Sequence, residues 1–538
     1  MLACSHLVSL FVTLGLLASC DASPIVWSPV IQTSKGLISG YQGSSGSRFT
    51  LPYAKPPVGD LRLKRPQALE SWTSHPHRRL EPRCANRTFD GKNLPEVCLQ
   101  NDLSSGQPIG SEDCLYMNIF TPRNSQPTSK LPVFVWVHGG SFTNGGISGI
   151  DGSALAQAQN MIVVTVQYRL GLFGWLKYSR YGFEGNYGLR DLIMALQVVQ
   201  QDIAPFGGDP SQVTLAGQSS GAQMIKSLLS TPSASSLFKR AIIQSAPLDY
   251  APQPAALADS VGKALVVDQL GGGNFLWGRY HKTDAELLAA QNQIAQQAAL
   301  GQLPGIPQAE AFNVVLDGVL VTEDGQQIVS SDKQVIFTTV QSEACAAVET
   351  GIFLAQLFGI ASNDFAGLVQ NSYPDRAHSI IDSKLYQPAT DDQTDVEDQL
   401  IHLTTDFAWV CPTQRYALAA AGKSTIYLAE FDLGIPAAAS VRSELCRGKV
   451  GHEDDIAVVF NAPSSSISSA QSTLVKEVQA RWGAFARTGN PNTGSYSTWP
   501  ALPSTGGLQV LQLGSTSNGG SSLATSQRTE ACKLYATA

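Results

Sequence analysis

The chain has 538 residues, of which 43% are hydrophobic and 15% charged, and its formal net charge is −7. This composition is typical of a globular protein and argues against a disordered or fibrous chain. The acidic balance argues against nucleic acid as a partner, because no basic stripe is present to neutralise phosphates.

The N-terminus has the pattern of a secretory signal peptide. Leu7 to Leu17 is an apolar run, too short to span a bilayer, and small residues up to Ala22 follow it. We therefore expect residues 1–22 to be removed and residues 23–538 to form one secreted, extracellular domain. The pattern lacks the usual positive charge near Met1. A bacterial lipoprotein box ending at Cys20 is a disfavoured alternative, since such boxes normally follow Lys or Arg. No other stretch is long and apolar enough to predict integral membrane association.

Seven cysteines remain after residue 22, and no two of them are spaced as in a CxxC pair. The spacing therefore predicts no zinc cluster and no other metal site. In a secreted chain we expect these thiols to pair, with at least one left over because the count is odd. Asn86 begins an Asn-Arg-Thr triplet, which is a candidate N-glycosylation site.

The middle of the chain alternates short apolar runs with helical patterns. Such alternation predicts a mainly parallel sheet with helices on both faces and with ligand sites at the carboxyl ends of the strands. Two segments, 251–308 and 353–403, look like helical insertions, which we expect to cap the site. The predicted strands are Val133–Val137, Met161–Val166, Val213–Ala216, Ala241–Gln244, Gln334–Val340 and Thr425–Phe431, with helices over 189–203 and after Gly221.

The loop after the first of these strands reads His138-Gly-Gly-Ser-Phe142. A glycine-rich turn after a central strand allows several backbone N–H groups to point at one spot. We expect Gly140 and Ser141 to donate to an oxyanion there. For His138 a role in positioning the loop is favoured over proton transfer.

Residues 217–221 read Gly-Gln-Ser-Ser-Gly, between a predicted strand and a predicted helix. This is the G-x-S-x-G elbow in the context that it requires, and it makes Ser219 a candidate nucleophile. Side chains at the two glycines would collide with the neighbouring strand and helix. The N–H of Ser220, at the start of the helix, would complete the oxyanion hole. Alone, the motif is also compatible with a serine that only caps a helix.

A serine nucleophile needs a histidine base and an orienting carboxylate, in the chain order serine, acid, histidine. Of the histidines after Ser219, His452 lies late, in a loop and next to a glycine. His281 and His402 lie in helical patterns, and His378 lies in a polar loop with no strand before it. For the acid, Glu343 and Asp432 each follow a predicted strand closely; both stay open, with Glu343 favoured.

The chain resembles the type-B carboxylesterase and lipase family, which includes the cholinesterases, and is expected to be most similar to its secreted fungal members. The similarity extends from about Leu51 to Pro500. It is carried by six further stretches besides the elbow and the loop at His138: Leu51–Gly59, Glu112–Asn118, Tyr168–Gly174, Gly185–Asp191, Phe206–Pro210 and Trp482–Pro491.

The resemblance implies a single large α/β-hydrolase domain. It places Glu343 in the family's acid loop and His452 in its histidine loop, which puts Glu343 well ahead of Asp432. It implies a disulfide between Cys98 and Cys114, and structural ion pairs of Arg62 with Glu112 and of Arg169 with Asp191. Cys411 with Cys446 is a plausible second disulfide.

The chain also departs from the family pattern. Gln218 and Ser220 replace the usual Glu and Ala of the elbow, although similar fungal esterases use Gln, and Ser141 replaces a glycine. Ala344 replaces a glycine, and Cys345 stands next to it. The cysteine that the family often has around residue 270 is missing. None of these changes removes a group that the chemistry requires.

Together these features predict a secreted carboxylic ester hydrolase that acts through Ser219, His452 and Glu343 by an acyl-enzyme intermediate. No cofactor is expected. The partner is a small-molecule or lipid ester; lipase, sterol-ester or feruloyl-type specificity is the alternative, and a non-catalytic binding protein is a remote one. The segment 82–107 is the candidate lid loop, and its polar sequence argues against a lipid-facing lid. The sequence carries no signal for an oligomeric state.

Overall fold

The predicted strands form the middle of an eleven-stranded sheet in the computed structural model. Its strands are β1 (Tyr41–Gly43), β2 (Gly46–Pro52), β3 (Tyr116–Pro122), β4 (Leu131–Val137), β5 (Ile162–Val166), β6 (Gly208–Gln218), β7 (Arg240–Gln244), β8 (Gln334–Val340), β9 (Thr425–Phe431), β10 (Gln509–Leu513) and β11 (Ser522–Thr525). The structure describes residues 28–72, 88–248, 250–272, 282–303, 311–322, 333–357, 359–390, 392–437, 443–460, 467–503, 507–525 and 528–537.

The strands lie in the order β11-β10-β9-β8-β7-β6-β4-β5-β3-β2-β1. Neighbours from β10 through β5 are parallel, and antiparallel strands complete both edges. Val30–Thr33, Gly36–Ser39 and Phe89–Asp90 form a separate small sheet. The predicted, mainly parallel α/β-hydrolase sheet is therefore confirmed.

Both faces of the sheet are covered. Every residue of β4 is buried, which is typical of a parallel strand with helices on both sides. Val133, Val135 and Val137 belong to one apolar cluster, whereas Phe134 and Trp136 belong to another. Since side chains alternate along a strand, these two clusters are the cores on opposite faces of the sheet.

Helices follow most of the central strands. They are α1 (Ser153–Gln159), α2 (Gly171–Trp175), α3 (Tyr187–Asp202), α4 (Ser220–Leu229), α5 (Ala255–Lys263), α6 (Asp284–Ala299), α7 (Cys345–Leu357), α8 (Phe365–Ser372), α9 (Ala377–Ser383), α10 (Gln393–Thr405), α11 (Cys411–Ala421), α12 (Ile456–Phe460), α13 (Ser469–Thr488) and α14 (Thr529–Thr537). A π-helical turn, Asp406–Val410, joins α10 to α11. In the part of the chain that the structure describes, no helix has both the length and the apolar character of a membrane span.

The two predicted insertions are helical where they are described. The first contains α5 and α6, and the second contains the end of α7, all of α8 and α9, and most of α10. α7 to α10 share a third apolar cluster with α14, separate from the two cores of the sheet. The first of these helices, α7, begins two residues after Glu343.

One of the two expected disulfides is present and the other is not. Cys98 is joined to Cys114, as the resemblance implies. The pairing of Cys411 with Cys446 is wrong: Cys446 is joined to Cys345, and Cys411 to Cys532. The observed pairing depends on the three-dimensional fold, because Ser342 and Gly451 pair as a β-bridge that brings the segments of Cys345 and Cys446 together. Cys84 lies outside the described residues.

Two charge pairs fix the chain near the site. The guanidinium of Arg62 donates to Glu112, with the Nε atom 2.8 Å from Oε2. Arg169 donates to both oxygens of Asp191, at 2.8 and 2.7 Å, and both residues are buried. Both ion pairs that the resemblance implies are therefore present, and they hold the scaffold.

Candidate active site

Ser219 lies on a strained turn between β6 and α4. Its φ is 55° and its ψ is −126°, a conformation that only a tightly constrained site maintains. Its N–H donates to the carbonyl of Gln244 at 2.9 Å. A Cβ atom at Gly217 or Gly221 would lie 2.9 or 2.4 Å from the carbonyl oxygen of Val137. The glycines are required because the elbow presses against the end of β4.

The loop after β4 packs directly against this elbow. A Cβ atom at Gly139 would lie 2.9 Å from the Cβ of Ser219, so only glycine permits this approach. Gly140 has a φ of 110° and Ser141 a φ of 49°. The carbonyl of Gly140 accepts from the N–H of Asn144 at 2.9 Å and so turns back into the loop. The loop and the first residue of α4, Ser220, therefore flank Ser219.

His138 is buried and stacks on Tyr168, with ring centroids 4.4 Å apart. Burial lowers the pKa of His138 to about 4, although the contact of its Nδ1 with the carbonyl of Gly139 opposes the shift. Tyr168 also donates to the carbonyl of His138 at 2.8 Å. A neutral, doubly anchored ring fits a role in positioning the loop.

His452 and Glu343 meet at 2.6 Å, between Nδ1 and Oε2. The second oxygen of Glu343 accepts from the N–H of Val340 at 2.9 Å, so the carboxylate is fixed at the end of β8. Burial lowers the pKa of His452, but the hydrogen bond and charge of Glu343, with smaller contributions from Glu453 and Asp455, outweigh it and raise the pKa to about 8. The contact assigns the ring proton to Nδ1.

The other ring nitrogen of His452 faces the elbow. Its Nε2 lies 3.1 Å from the side-chain amide nitrogen of Gln218, the residue before Ser219. With the proton on Nδ1, Nε2 is the acceptor of this contact. The structure thus brings the elbow, the imidazole and the Glu343 carboxylate to one place, from segments more than a hundred residues apart.

Two buried residues next to His452 are not predicted from the sequence as site residues. Trp409, on the π-helical turn, packs against the imidazole with ring centroids 5.6 Å apart. Asp455 is fully buried and accepts from the side chain of Gln244 at 2.5 Å; burial raises the pKa of Asp455 to about 7. A sequence pattern could have identified Asp455, because an acidic residue directly before an apolar helix is typical of a helix N-terminus. Nothing in the sequence marks Trp409.

The competing candidates lie elsewhere or outside the described residues. Burial raises the pKa of Asp432, and its charge is balanced by Arg528. His378 is exposed and pairs with Asp382, one turn on. His402 lies on α10. Asn86 and His281 fall outside the described residues. Among those residues, no group of three or more potential ligands could hold a metal ion.

A cavity of about 730 Å³ lies between elements that neighbour the candidate site in the chain, and its lining does not include Ser219, Glu343 or His452. One wall is the side of α7 that carries Ala347, Gly351 and Leu354, and another is formed by Phe407 and Ala408. No charged side chain of the described residues lines it. Its walls belong to the helix that follows Glu343 and to the turn that carries the tryptophan against His452. A cavity of this size and character fits a bulky apolar group.

The chain is similar over almost its whole length to proteins of known class. The profile described as "Carboxylesterase family" matches residues 27–535. "Carboxylesterase 1D" of Mus musculus is 33% identical, over 90% of this chain and 90% of that protein. "Fatty acyl-CoA hydrolase precursor, medium chain" of Anas platyrhynchos is 31% identical, over 92% and 90%. A solved structure titled "PNB esterase" superposes with a TM-score of 0.74 and 27% identity, covering 95% of this chain and all of that one.

Proposed function

The chain belongs to the carboxylesterase family and is a carboxylic ester hydrolase, and we propose that Ser219 is its nucleophile, His452 its general base and Glu343 the carboxylate that orients the base. The observation that carries this proposal is the 2.6 Å contact of Glu343 with Nδ1 of an imidazole whose Nε2 faces the elbow. Replacement of Ser219 by alanine, which should abolish ester hydrolysis, is the test.

The proposed reaction has two acyl-transfer steps. His452 takes the proton of Ser219 as the oxygen attacks the ester carbonyl, and Glu343 stabilises the imidazolium that forms. The N–H groups of Gly140, Ser141 and Ser220 hold the oxyanion, a contribution of about 3 kcal/mol per donor in comparable sites. The imidazolium then protonates the leaving alcohol, and water releases the acid by the same route. Gln218 must share or yield Nε2 when the nucleophile uses it.

The pH dependence follows from the state of His452. Only the neutral imidazole can accept the serine proton, and the pKa is raised to about 8. We therefore expect kcat/KM to rise about tenfold per pH unit below pH 8 and to level off above it. Initial rates with a soluble p-nitrophenyl ester between pH 5 and 9.5, corrected for uncatalysed hydrolysis, give the profile. A rate independent of pH between 6 and 9 would contradict the assignment.

The cavity supports a substrate class, namely uncharged esters with one bulky apolar group. Its uncharged lining disfavours a cationic or phosphorylated group, since such a charge would be desolvated without a partner. Its volume exceeds what a small acyl group such as acetate would fill. We propose this class over small acetyl esters, and both a long acyl chain and a large apolar alcohol belong to it.

Gly351→Phe tests this substrate class. A Cβ atom at Gly351 meets nothing within 4 Å, and the residue lies inside α7, where glycine weakens a helix, so the variant is expected to fold. The ring would occupy the cavity, and we expect kcat/KM for p-nitrophenyl decanoate to fall by roughly 10- to 100-fold, with the acetate ester changed by less than threefold. Gln356→Phe, on the same helix and outside the cavity lining, is the control. Equal losses on both esters would contradict the proposal.

We further propose that the protein is secreted after removal of residues 1–22, with residues 23–538 as one domain. The three disulfides support an oxidising destination, because such bonds are rare in the cytosol. We also propose a glycan at Asn86 and a close relation to secreted fungal esterases. The carboxylesterase of Mus musculus and the acyl-CoA hydrolase of Anas platyrhynchos are animal proteins. Mass analysis of the protein isolated from culture medium would show both the processed N-terminus and the glycan.

A further inference from the structure

The segments that carry Glu343 and His452 are joined by a disulfide. Cys345 lies two residues after Glu343 and Cys446 six residues before His452, and the structure bonds the two cysteines. Both are almost fully buried. The bond closes a stretch of 101 residues and so connects segments that chain connectivity alone would leave far apart.

We propose that the Cys345–Cys446 disulfide is a positioning element of the active site, which holds the Glu343 carboxylate in register with the imidazole of His452. The inference rests on the proposed function, because it assigns the bond to the reaction and not only to stability.

The contacts around the two segments show where the disulfide adds to the backbone. Between them the backbone contributes the bridge of Ser342 with Gly451 and the bond from the N–H of Ser342 to the carbonyl of Val450, at 2.9 Å. After His452, the chain is anchored by the bond of Gln244 to Asp455. Before it, the nearest covalent anchor is Cys446. The disulfide therefore adds a covalent link on the side of the histidine segment where the backbone contributes the bridge at Gly451 and the hydrogen bond at Val450.

Catalysis requires that the Glu343 carboxylate and the imidazole of His452 keep their relative positions closely. A displacement of about 1 Å in a reacting group can lower the rate by about 100-fold. The Glu343 carboxylate is buried, and loss of its contact would leave both a buried charge and an unoriented imidazole. The charged groups that face His452 are Glu343 from the acid segment and Glu453 and Asp455 from its own segment. Of these three groups, only Glu343 has a position relative to His452 that depends on how the two segments are joined.

The second long-range disulfide is a matched control. Cys411–Cys532 closes 121 residues, a span close to that of Cys345–Cys446, so its removal should destabilise the fold to a similar extent. It joins the start of α11 to α14 and does not link the acid segment to the histidine segment. A stability effect alone would therefore be the same in both variants.

The experiment compares the full-length double variants Cys345→Ala/Cys446→Ala and Cys411→Ala/Cys532→Ala with the native protein. Melting temperature, kcat, KM and the pH profile are measured with a soluble p-nitrophenyl ester. In the first variant we expect kcat to fall at least tenfold with KM changed by less than threefold. We also expect the midpoint of the pH profile to move down by at least half a unit, because Glu343 holds the pKa of His452 high. In the control, we expect a similar loss of melting temperature with kcat and midpoint close to native.

Native kcat and midpoint in the first variant would overturn the proposal, as would equal changes in both variants. If the first variant does not fold, the native protein is partly reduced with a phosphine and alkylated. Activity should then fall in proportion to alkylation of Cys345 and Cys446, and full activity in molecules alkylated at this pair would overturn it. Failure of the proposed function itself is distinguishable, because Ser219→Ala would then keep the native activity.

Discussion

Ser219→Ala is expected to lower kcat for p-nitrophenyl butyrate on the order of 10⁶-fold. Removal of a serine nucleophile costs about as much as removal of the whole catalytic group, because the remaining residues have no atom to activate. The site should still bind the ester, since the oxyanion hole and the cavity are unchanged, so KM should stay near native. Initial rates of purified wild type and variant over a series from acetate to palmitate measure both effects.

Ser220→Ala is the matched control for this variant. It removes a neighbouring hydroxyl and keeps the backbone N–H that the oxyanion would use, so kcat should stay within about threefold of native. If Ser219→Ala is as active as the wild type, Ser219 is not the nucleophile. If Ser220→Ala is the inactive one, the two serines have been assigned in the wrong order. If the wild type is inert on the whole series, a non-catalytic protein or a very narrow substrate range becomes the better reading.

Glu343→Gln is expected to have the second largest effect, a loss of about 10⁴-fold in kcat, as for an orienting acid replaced by its amide. The amide is nearly the same size but can donate to Nδ1, which favours the tautomer with the proton on Nε2, where the lone pair is needed. The loss of charge also removes the main cause that raises the pKa of His452. The residual activity should therefore follow a pH profile with its midpoint below that of the wild type.

Asp432→Asn is the control for the acid, because Asp432 is the other carboxylate that follows a strand closely. Its charge is balanced by Arg528 and not by the imidazole. We expect kcat within about threefold of native and an unchanged pH midpoint. An equal loss of kcat in Glu343→Gln and Asp432→Asn would contradict the assignment of Glu343 as the orienting acid.

Local patterns were enough to predict the central sheet. Val133–Val137, Gln334–Val340 and Thr425–Phe431 are short β-branched and aromatic runs, and all three lie within strands of the structure, the last two with the same bounds. The elbow and the loop at His138 were predictable because glycine is required wherever two backbones approach as closely as they do here.

Features that depend on chain packing were not predictable. No local pattern indicates a bond between Cys446 and Cys345, because their segments are brought together by the bridge of Ser342 with Gly451. Trp409 packs against His452 from a π-helical turn that follows the helix that began at Gln393. The choice between Glu343 and Asp432 was open from the residues, since both follow strands and only the fold places one of them against the imidazole.

The most direct test of the central claim is to locate the covalent intermediate. The wild type is treated with a fluorophosphonate, which reacts with an activated serine, digested with trypsin and analysed by mass spectrometry. Ser219 lies in the peptide 191–226, which has no internal lysine or arginine before its last residue. We predict one adduct, localised by fragmentation to Ser219 and absent from Glu343→Gln protein treated for the same short time. An adduct on Ser220 or on another peptide, or a wild type that loses its activity without label at Ser219, would contradict the account.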